Sequence, residues 1–564
     1  MGTEVVMKRL RGCGVFLLAV CLMVTAGCEP LWPFQTEAEA QPNEWDRLAD
    51  QKNESLNLKK LKLEAYGKQV GVKLQSPAYQ EFAVNSRFPI TGSVEKILQL
   101  QADFAWVEVE KEGDSGDDSK FSYYIPLDDG QFDQWIQLHK GEGIYQVTVR
   151  LPSEAEANHF YDVAQMKVHN VNPRVERDIA MTRVGQSSGL AFEQPASGFG
   201  EASGSIALKG SLPKDMERLM VQVEKGTEKW EHVVPVRDGR FDTQIPLLYG
   251  KGVHRVTVLT PDPSKKNLFN EAAKLWVDNQ SNQKREPVEY FRHYEERGVQ
   301  LEMPLAGGGR ADMKARIRGR IDPQAPQAAE TKHLIVQTKK DGEQATYIIP
   351  VENYRFDDTF WLRFGKGTYE VTVNVPEITS EKRDYFRFFG VARYTVHNET
   401  DKDQRNLLPS RGIQSDSGEI RSLAKNLIAG KGTEREKALA IYEYVSKQIH
   451  YDVTKFKTDA FEYDDSALKT LREKKGVCQD YSFLAIALLR SIGMEARFVE
   501  GVADGNRHAW VEVKVDGNWI TMDPTWGAGY LDGQDRFVQK YTTRYFDPNP
   551  GEFSKTHKRT GVMY

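Results

Sequence analysis

The chain has 564 residues, 40% of them hydrophobic, a length that calls for about four domains at the usual ~150 residues each. Charge is abundant but balanced, net −5, so there is no overall basic field to hold nucleic acid or anionic lipid. The apolar content excludes a disordered chain, and a mean hydropathy of −0.57 with one long apolar run excludes a polytopic membrane protein.

Of four cysteines, Cys13, Cys21 and Cys28 stand in the first 28 residues and Cys478 stands alone in the rest, which leaves no disulfide framework for the folded body. Lys8, Arg9 and Arg11 precede an apolar run from Gly12 to Val24 and then small residues, the order of an export signal. That run is short for a permanent bilayer crossing. Val24-Thr25-Ala26-Gly27-Cys28 resembles a bacterial lipobox, and the resemblance implies cleavage of residues 1–27 and lipid attachment to Cys28. The expectation is a lipid-anchored chain on the extracytoplasmic face of the cell membrane, with residues 28–68 as a weakly periodic tether.

Internal repeats organise the chain up to residue 400. Gly71-Val-Lys-Leu-Gln-Ser-Pro77 recurs as Gly189-Leu-Ala-Phe-Glu-Gln-Pro195 and Gly298-Val-Gln-Leu-Glu-Met-Pro304. A second motif around Gly92, Gly210 and Gly319 recurs with the same offsets. Each copy continues with an alternating strand beginning at Val107, Val221 or Val336, then Phe132-Asp133, Phe241-Asp242 or Phe356-Asp357. Short alternating strands between turn signals fit an antiparallel β-sandwich, and the three copies, 69–173, 187–281 and 296–400, resemble bacterial immunoglobulin-like or fibronectin-type modules. They are expected to act as spacers, with ligand or cell-wall binding by their loops as the alternative. The acidic run Asp114-Ser-Gly-Asp117-Asp118 lacks the ligand spacing of a calcium loop and reads as a hairpin tip.

From residue 404 the period becomes helical. Asp416 is the expected cap of a helix ending at Gly430, Thr433-Glu-Arg-Glu436 is a capping box for the next, and Asp465 or Ser466 opens a third. Gly476-Val477-Cys478 precedes an apolar helix from Tyr481 to Ile492, which puts Cys478 at a helix N-terminus, where unpaired amides and the dipole favour a thiolate. Asp480 partly opposes that effect. His508–Val515 and Asn518–Thr525 flank Asp516-Gly517, a strong hairpin signal. Pairing Val515 with Asn518 sets Val511 against Met522 and Val513 against Ile520, and places Asp523 as the diagonal neighbour of His508.

Three runs, GVCQDYSFLAIALLRSIGMEARFVEG from Gly476, RHAWVEV from Arg507 and WITMDPTW from Trp519, are together similar to the transglutaminase-like superfamily. The resemblance implies an α+β papain-like domain over 404–564 and thiol acyl chemistry with Cys478 as nucleophile, His508 as base then acid, and Asp523 as orienter. The Cys478 amide is the first candidate for the oxyanion, with the Gln479 or Tyr451 side chain as second donor. Trp510, Trp519 and Trp526 read as packing, and His557 and the tail as a wrap around the core. No zinc spacing, phosphate loop or other cofactor motif is present, so neither metal nor cofactor is expected. The expected function is a lipid-anchored, transglutaminase-like cysteine hydrolase or acyltransferase acting on protein or peptide carbonyls, with cell-wall peptide among its substrates and no nucleic-acid partner. The alternative is a non-catalytic surface binding or structural lipoprotein.

Overall fold

The structure is a computed structural model that describes residues 43–116, 119–265, 267–379 and 386–564. The signal, the lipobox and Cys28 lie outside the described residues, as do Asp117 and Asp118. No helix among the described residues is long and apolar enough to cross a membrane.

The tether expected before the first module is partly folded onto it. Glu44–Ser55 is a helix with an Asn43–Asp46 capping box. Asn53 in that helix exchanges two hydrogen bonds with the Ala83 backbone, at 2.9 and 2.7 Å.

Three sandwiches follow, each a three-stranded sheet facing a larger one. In the first, Val72–Ser76, Arg87–Val94 and Gln131–Gln137 form one sheet. The other has the order Glu81–Val84, Phe160–Asn170, Gly143–Pro152, Phe104–Lys111 and Lys120–Pro126. The sandwiches are not wholly antiparallel: Glu81–Val84 runs parallel to Phe160–Asn170, and Phe199–Ala202 and Gly309–Ala311 repeat the arrangement. In each copy this short strand leaves the three-stranded sheet to cover an edge of the other.

The two recurring motifs meet across the small sheet. Gly92 is paired with Phe132, Gly210 with Phe241 and Gly319 with Phe356. A Cβ on any of the three glycines would lie 2.5 Å from the tip of its phenylalanine ring, so the glycine and the buried ring are one packing unit, used three times. Alternation on the neighbouring strand works as expected from the sequence: Val107 and Val109 are buried and Glu108 and Glu110 are not.

The last sandwich and the C-terminal domain share a packed boundary. Arg363, fully buried at the end of Arg355–Trp361, donates to the carbonyls of Arg405, Leu408 and Pro409. Arg490 donates to the same Leu408 carbonyl at 2.7 Å. Tyr564 packs edge-on against Phe364.

In the C-terminal domain, with elements numbered from its start, the helices are α1 (Gly418–Leu427), α2 (Glu434–Gln448), α3 (Val453–Thr458), α4 (Ala467–Glu473) and α5 (Cys478–Ser491). Strands β1 (Ala496–Ala503), β2 (Asn506–Val515) and β3 (Asn518–Met522) precede the short α6 (Pro524–Ala528). A hairpin of β4 (Gly529–Leu531) and β5 (Phe537–Gln539), then α7 (Pro550–Phe553) and β6 (His557–Met563), complete it. The sheet order is β3-β2-β1-β6. Helix α5 is buried from Asp480 to Arg490 and packs on β2 and β1, which is why it is apolar all round. The Thr433 capping box forms and Ser466 caps α4. Helix α1 is shorter than expected: its cap position is Ser417 rather than Asp416, and no side chain caps it.

Candidate active site

Cys478 is the first residue of α5 and is partly exposed. As the first residue of a helix, its amide has no intrahelical carbonyl to serve and faces outward with the positive end of the dipole. Val477, at the cap position, donates its amide to Asp480 Oδ2 at 2.8 Å.

Asp480 does not act as the free opposing charge that its place in the sequence suggests. The Lys455 ammonium, from α3, reaches Asp480 at 2.9 Å and Asp465 at 2.9 Å, with all three side chains largely out of solvent. Burial raises the Asp480 pKa, Lys455 pulls it down and Asp465 raises it again; the outcome is a raised value. Lys455 thus bridges two buried carboxylates, one of them two residues from Cys478, and Lys469 lies 3.4 Å from the other. Nothing local in the sequence links Lys455 to Asp480, and this support was not legible there.

The Asp516-Gly517 hairpin has the register set by Val515 and Asn518, with Val513 opposite Ile520 and Val511 opposite Met522. Pairing stops at Met522. The expected placement of Asp523 as the diagonal cross-strand neighbour of His508 is therefore not how the two meet. Asp523 caps α6, with Pro524 at the first helical position, where a missing amide costs nothing. Its Oδ1 accepts the amides of Thr525 at 2.9 Å and Trp526 at 3.1 Å. Its Oδ2 lies 2.7 Å from His508 Nε2. That assigns Nε2–H to the carboxylate and leaves Nδ1 as the ring nitrogen free to serve the thiol.

Burial lowers the His508 pKa, but the Asp523 charge and hydrogen bond, with a further contribution from Cys478, override it and push the value up to about 10. Burial by itself would raise the Asp523 pKa; His508 and then His557 hold it well below the carboxylate range. The linkage has a definite sign. The His508 contribution to stability is complete below its reference value of 6.5 and is lost as pH rises toward about 10. The Asp523 contribution is present above 3.8 and is lost as pH falls through its depressed value. Urea midpoints are expected to fall between pH 7 and pH 10 in the native chain and to fall less in His508→Ala; equal slopes would contradict the pairing.

Cys478 and His508 open onto one cleft of about 390 Å³, walled by Tyr451, Phe456, Trp526 and the exposed Tyr530 on β4. Tyr451 is placed by a two-residue parallel bridge that sets it beside Gly476, two residues before Cys478. Its pKa is raised, first by burial and then by Cys478, so the phenol keeps its proton. Gln479 does not line the cleft, and its amide nitrogen is buried without a partner among the described residues. The tryptophans separate: Trp510 is buried behind His508, Trp519 sits under Arg497, and Trp526 is a cleft wall as well as packing.

Sequence reasoning missed His557. It leaves β6, fully buried, and its Nε2 lies 3.2 Å from Asp523 Oδ2. His508, Asp523 and His557 offer ligand atoms within 4.8 Å of one another, as do Glu462, Asp464 and Asp465. In both sets those atoms already serve hydrogen bonds or lysine pairs.

Residues 421–524 match the model of the transglutaminase-like superfamily. Kyphoscoliosis peptidase from Homo sapiens is 29% identical over 151 residues, covering 24% of this chain and 22% of that protein. The uncharacterized protein YebA of Bacillus subtilis is 30% identical over 184 residues, covering 28% of this chain and 24% of that protein. The chain thus spans about a quarter of the length of the curated relatives it matches. The crystal structure of a TGase is 20% identical over 31% of this chain and 48% of that one, with a TM-score of 0.19.

Proposed function

We propose that this chain, whose residues 421–524 carry the core of the transglutaminase-like superfamily, is a thiol acyl-transfer enzyme using Cys478, His508 and Asp523. The observation that carries the reading is the 2.7 Å His508–Asp523 bond beside a cysteine at a helix N-terminus, both His508 and Cys478 opening onto one cleft. His508 takes the thiol proton through Nδ1, and the resulting imidazolium, held by Asp523, stabilises the thiolate. Sulfur attacks a carboxamide or peptide carbonyl; the Cys478 amide and the Tyr451 hydroxyl donate to the oxyanion. His508 then protonates the departing amine, leaving a thioester. Water or a primary amine attacks the thioester, His508 accepts its proton, and the thiol is regenerated.

The acceptor decides between hydrolysis and cross-linking. We favour hydrolysis, since no cleft residue forms a recognisable amine pocket. Incubation of the full chain with a casein-like protein and a fluorescent primary amine separates the two: new N-termini without label are expected, and label incorporation would assign transfer instead. Cys28 anchors the chain by lipid at the extracytoplasmic face in this reading, and the substrate is a surface or cell-wall peptide. Metabolic labelling with a fatty-acid probe should mark the native chain and not Cys28→Ser. The binding-protein alternative draws on a cleft of about 500 Å³ between the second and third sandwiches, lined by Trp230, His232 and Tyr290.

A further inference from the structure

The Asp523 carboxylate is fully buried, a state that is costly for a charge unless every lone pair is used. Four donors meet it: the Thr525 and Trp526 amides on Oδ1, and His508 and His557 on Oδ2. A carboxylate has about four acceptor sites, so the shell is full. The acceptor decides which nitrogen of His557 faces it with a hydrogen. The Asp523 carboxylate only accepts, so His557 Nε2 carries the hydrogen aimed at it, while on the other side of the ring Thr556 Oγ1, which donates to the Phe553 carbonyl at 3.3 Å, lies 2.8 Å from Nδ1. The ring is clamped by Phe553, stacked at 3.9 Å, and by Trp526 at 4.4 Å.

We infer that His557 is a positioning residue of the reaction, a second imidazole that holds Asp523 Oδ2 on the His508 axis and keeps the carboxylate an acceptor. The inference rests on the proposed chemistry of Cys478. His557 stands 34 residues beyond Asp523, outside the segment that matches the superfamily model. It comes from the edge strand β6, and Tyr564, just after that strand, packs on Phe364 of the third sandwich. The orienter is thereby tied to the sandwich next to the catalytic domain. The other titratable groups acting on Asp523 are the phenols Tyr442, Tyr451 and Tyr545, all with raised pKa from burial, so none supplies a competing charge at neutral pH.

The test uses the full chain with His557→Phe, which keeps a ring for Phe553 and Trp526 but removes the donor, and His557→Gln, whose amide nitrogen can reach the same oxygen. Iodoacetamide alkylation of Cys478, followed by mass spectrometry, is measured from pH 4 to 9 together with the thermal midpoint. His557→Phe is expected to slow alkylation at pH 6 about tenfold and to move the acidic limb to higher pH, and His557→Gln to recover most of the native profile. A folded His557→Phe chain with the native profile would overturn the role of His557. If His557→Phe fails to fold, His557→Gln decides: a folded Gln chain with a native profile supports the donor role, and one as slow as a free thiol overturns it. Failure of the underlying reading is recognised separately, by a native chain that alkylates at the rate of a free thiol.

Discussion

His508→Ala is expected to slow the alkylation of Cys478 at pH 6 by about a hundredfold, because a free thiol near pKa 8.5 is less than about 1% thiolate there. In the native site the imidazolium is held by Asp523, which pushes its pKa up to about 10, so the charge that favours a thiolate persists through neutral pH. Asp523→Asn should have nearly the same effect with less disturbance. The amide keeps the shape and one acceptor, but its nitrogen is a donor facing the donors of His508 and His557, so one imidazole must turn or change tautomer. The Thr525 and Trp526 amides would still find an oxygen in one amide orientation, and the helix cap would survive. An alkylation rate at pH 6 unchanged in either variant would remove His508 from the reaction.

Lys455→Met should be the most destabilising single change near the site. Its ammonium is shared by Asp480 and Asp465, whose side chains are 3% and 1% exposed, and breaking a buried pair leaves an uncompensated charge worth about 3–5 kcal/mol. Two carboxylates would then face each other with Lys469, 3.4 Å from Asp465, and Arg411, which also acts on Asp465, as nearby cations. The loss is expected in urea unfolding of the full chain. Combining Lys455→Met with Asp480→Asn should restore part of it, since the second change removes the stranded charge. The Asp480 carboxylate lies two residues from Cys478, so the single variant should also show an alkylation profile shifted to higher pH. Equal stability of the native and Lys455→Met chains would mean that water reaches the cluster.

The readable parts of this molecule are those in which periodicity or a turn fixes the answer locally. Alternation at Val107 and Val109 gave the inward face of a sandwich, and Gly92 and Phe132, each recurring in the later copies, are positions that the structure shows as a cross-strand pair. Asp516-Gly517 fixed the β2–β3 register to the residue. The same pattern misled one step farther on. Strand alternation predicts a strand through Met522 to Thr525, whereas Pro524 opens a helix and makes Asp523 a cap, so His508 and Asp523 meet by a different geometry. His557 and Lys455 act through neighbours distant in sequence, 34 and 25 residues away, from segments without periodic signal. The run Thr556-His-Lys-Arg-Thr-Gly561 does not alternate, because β6 is an edge strand with a register shift at Gly501. Between Tyr451 and Gln479 the sequence leaves the choice open; in the structure Tyr451, set beside Gly476 by a two-residue bridge, lines the cleft with Cys478 and Gln479 does not.

If Cys478 is the nucleophile, it carries an acyl group between the two half-reactions. Mixing the full chain with p-nitrophenyl acetate and following both nitrophenolate release and intact mass tests it without knowledge of the natural substrate. The expected result is a burst of about one nitrophenolate per chain at pH 7, one acetyl group mapped to Cys478, and no burst in His508→Ala or Cys478→Ser. A burst of the same size in His508→Ala, or acetyl mapped to lysines with Cys478 unmodified, would contradict it.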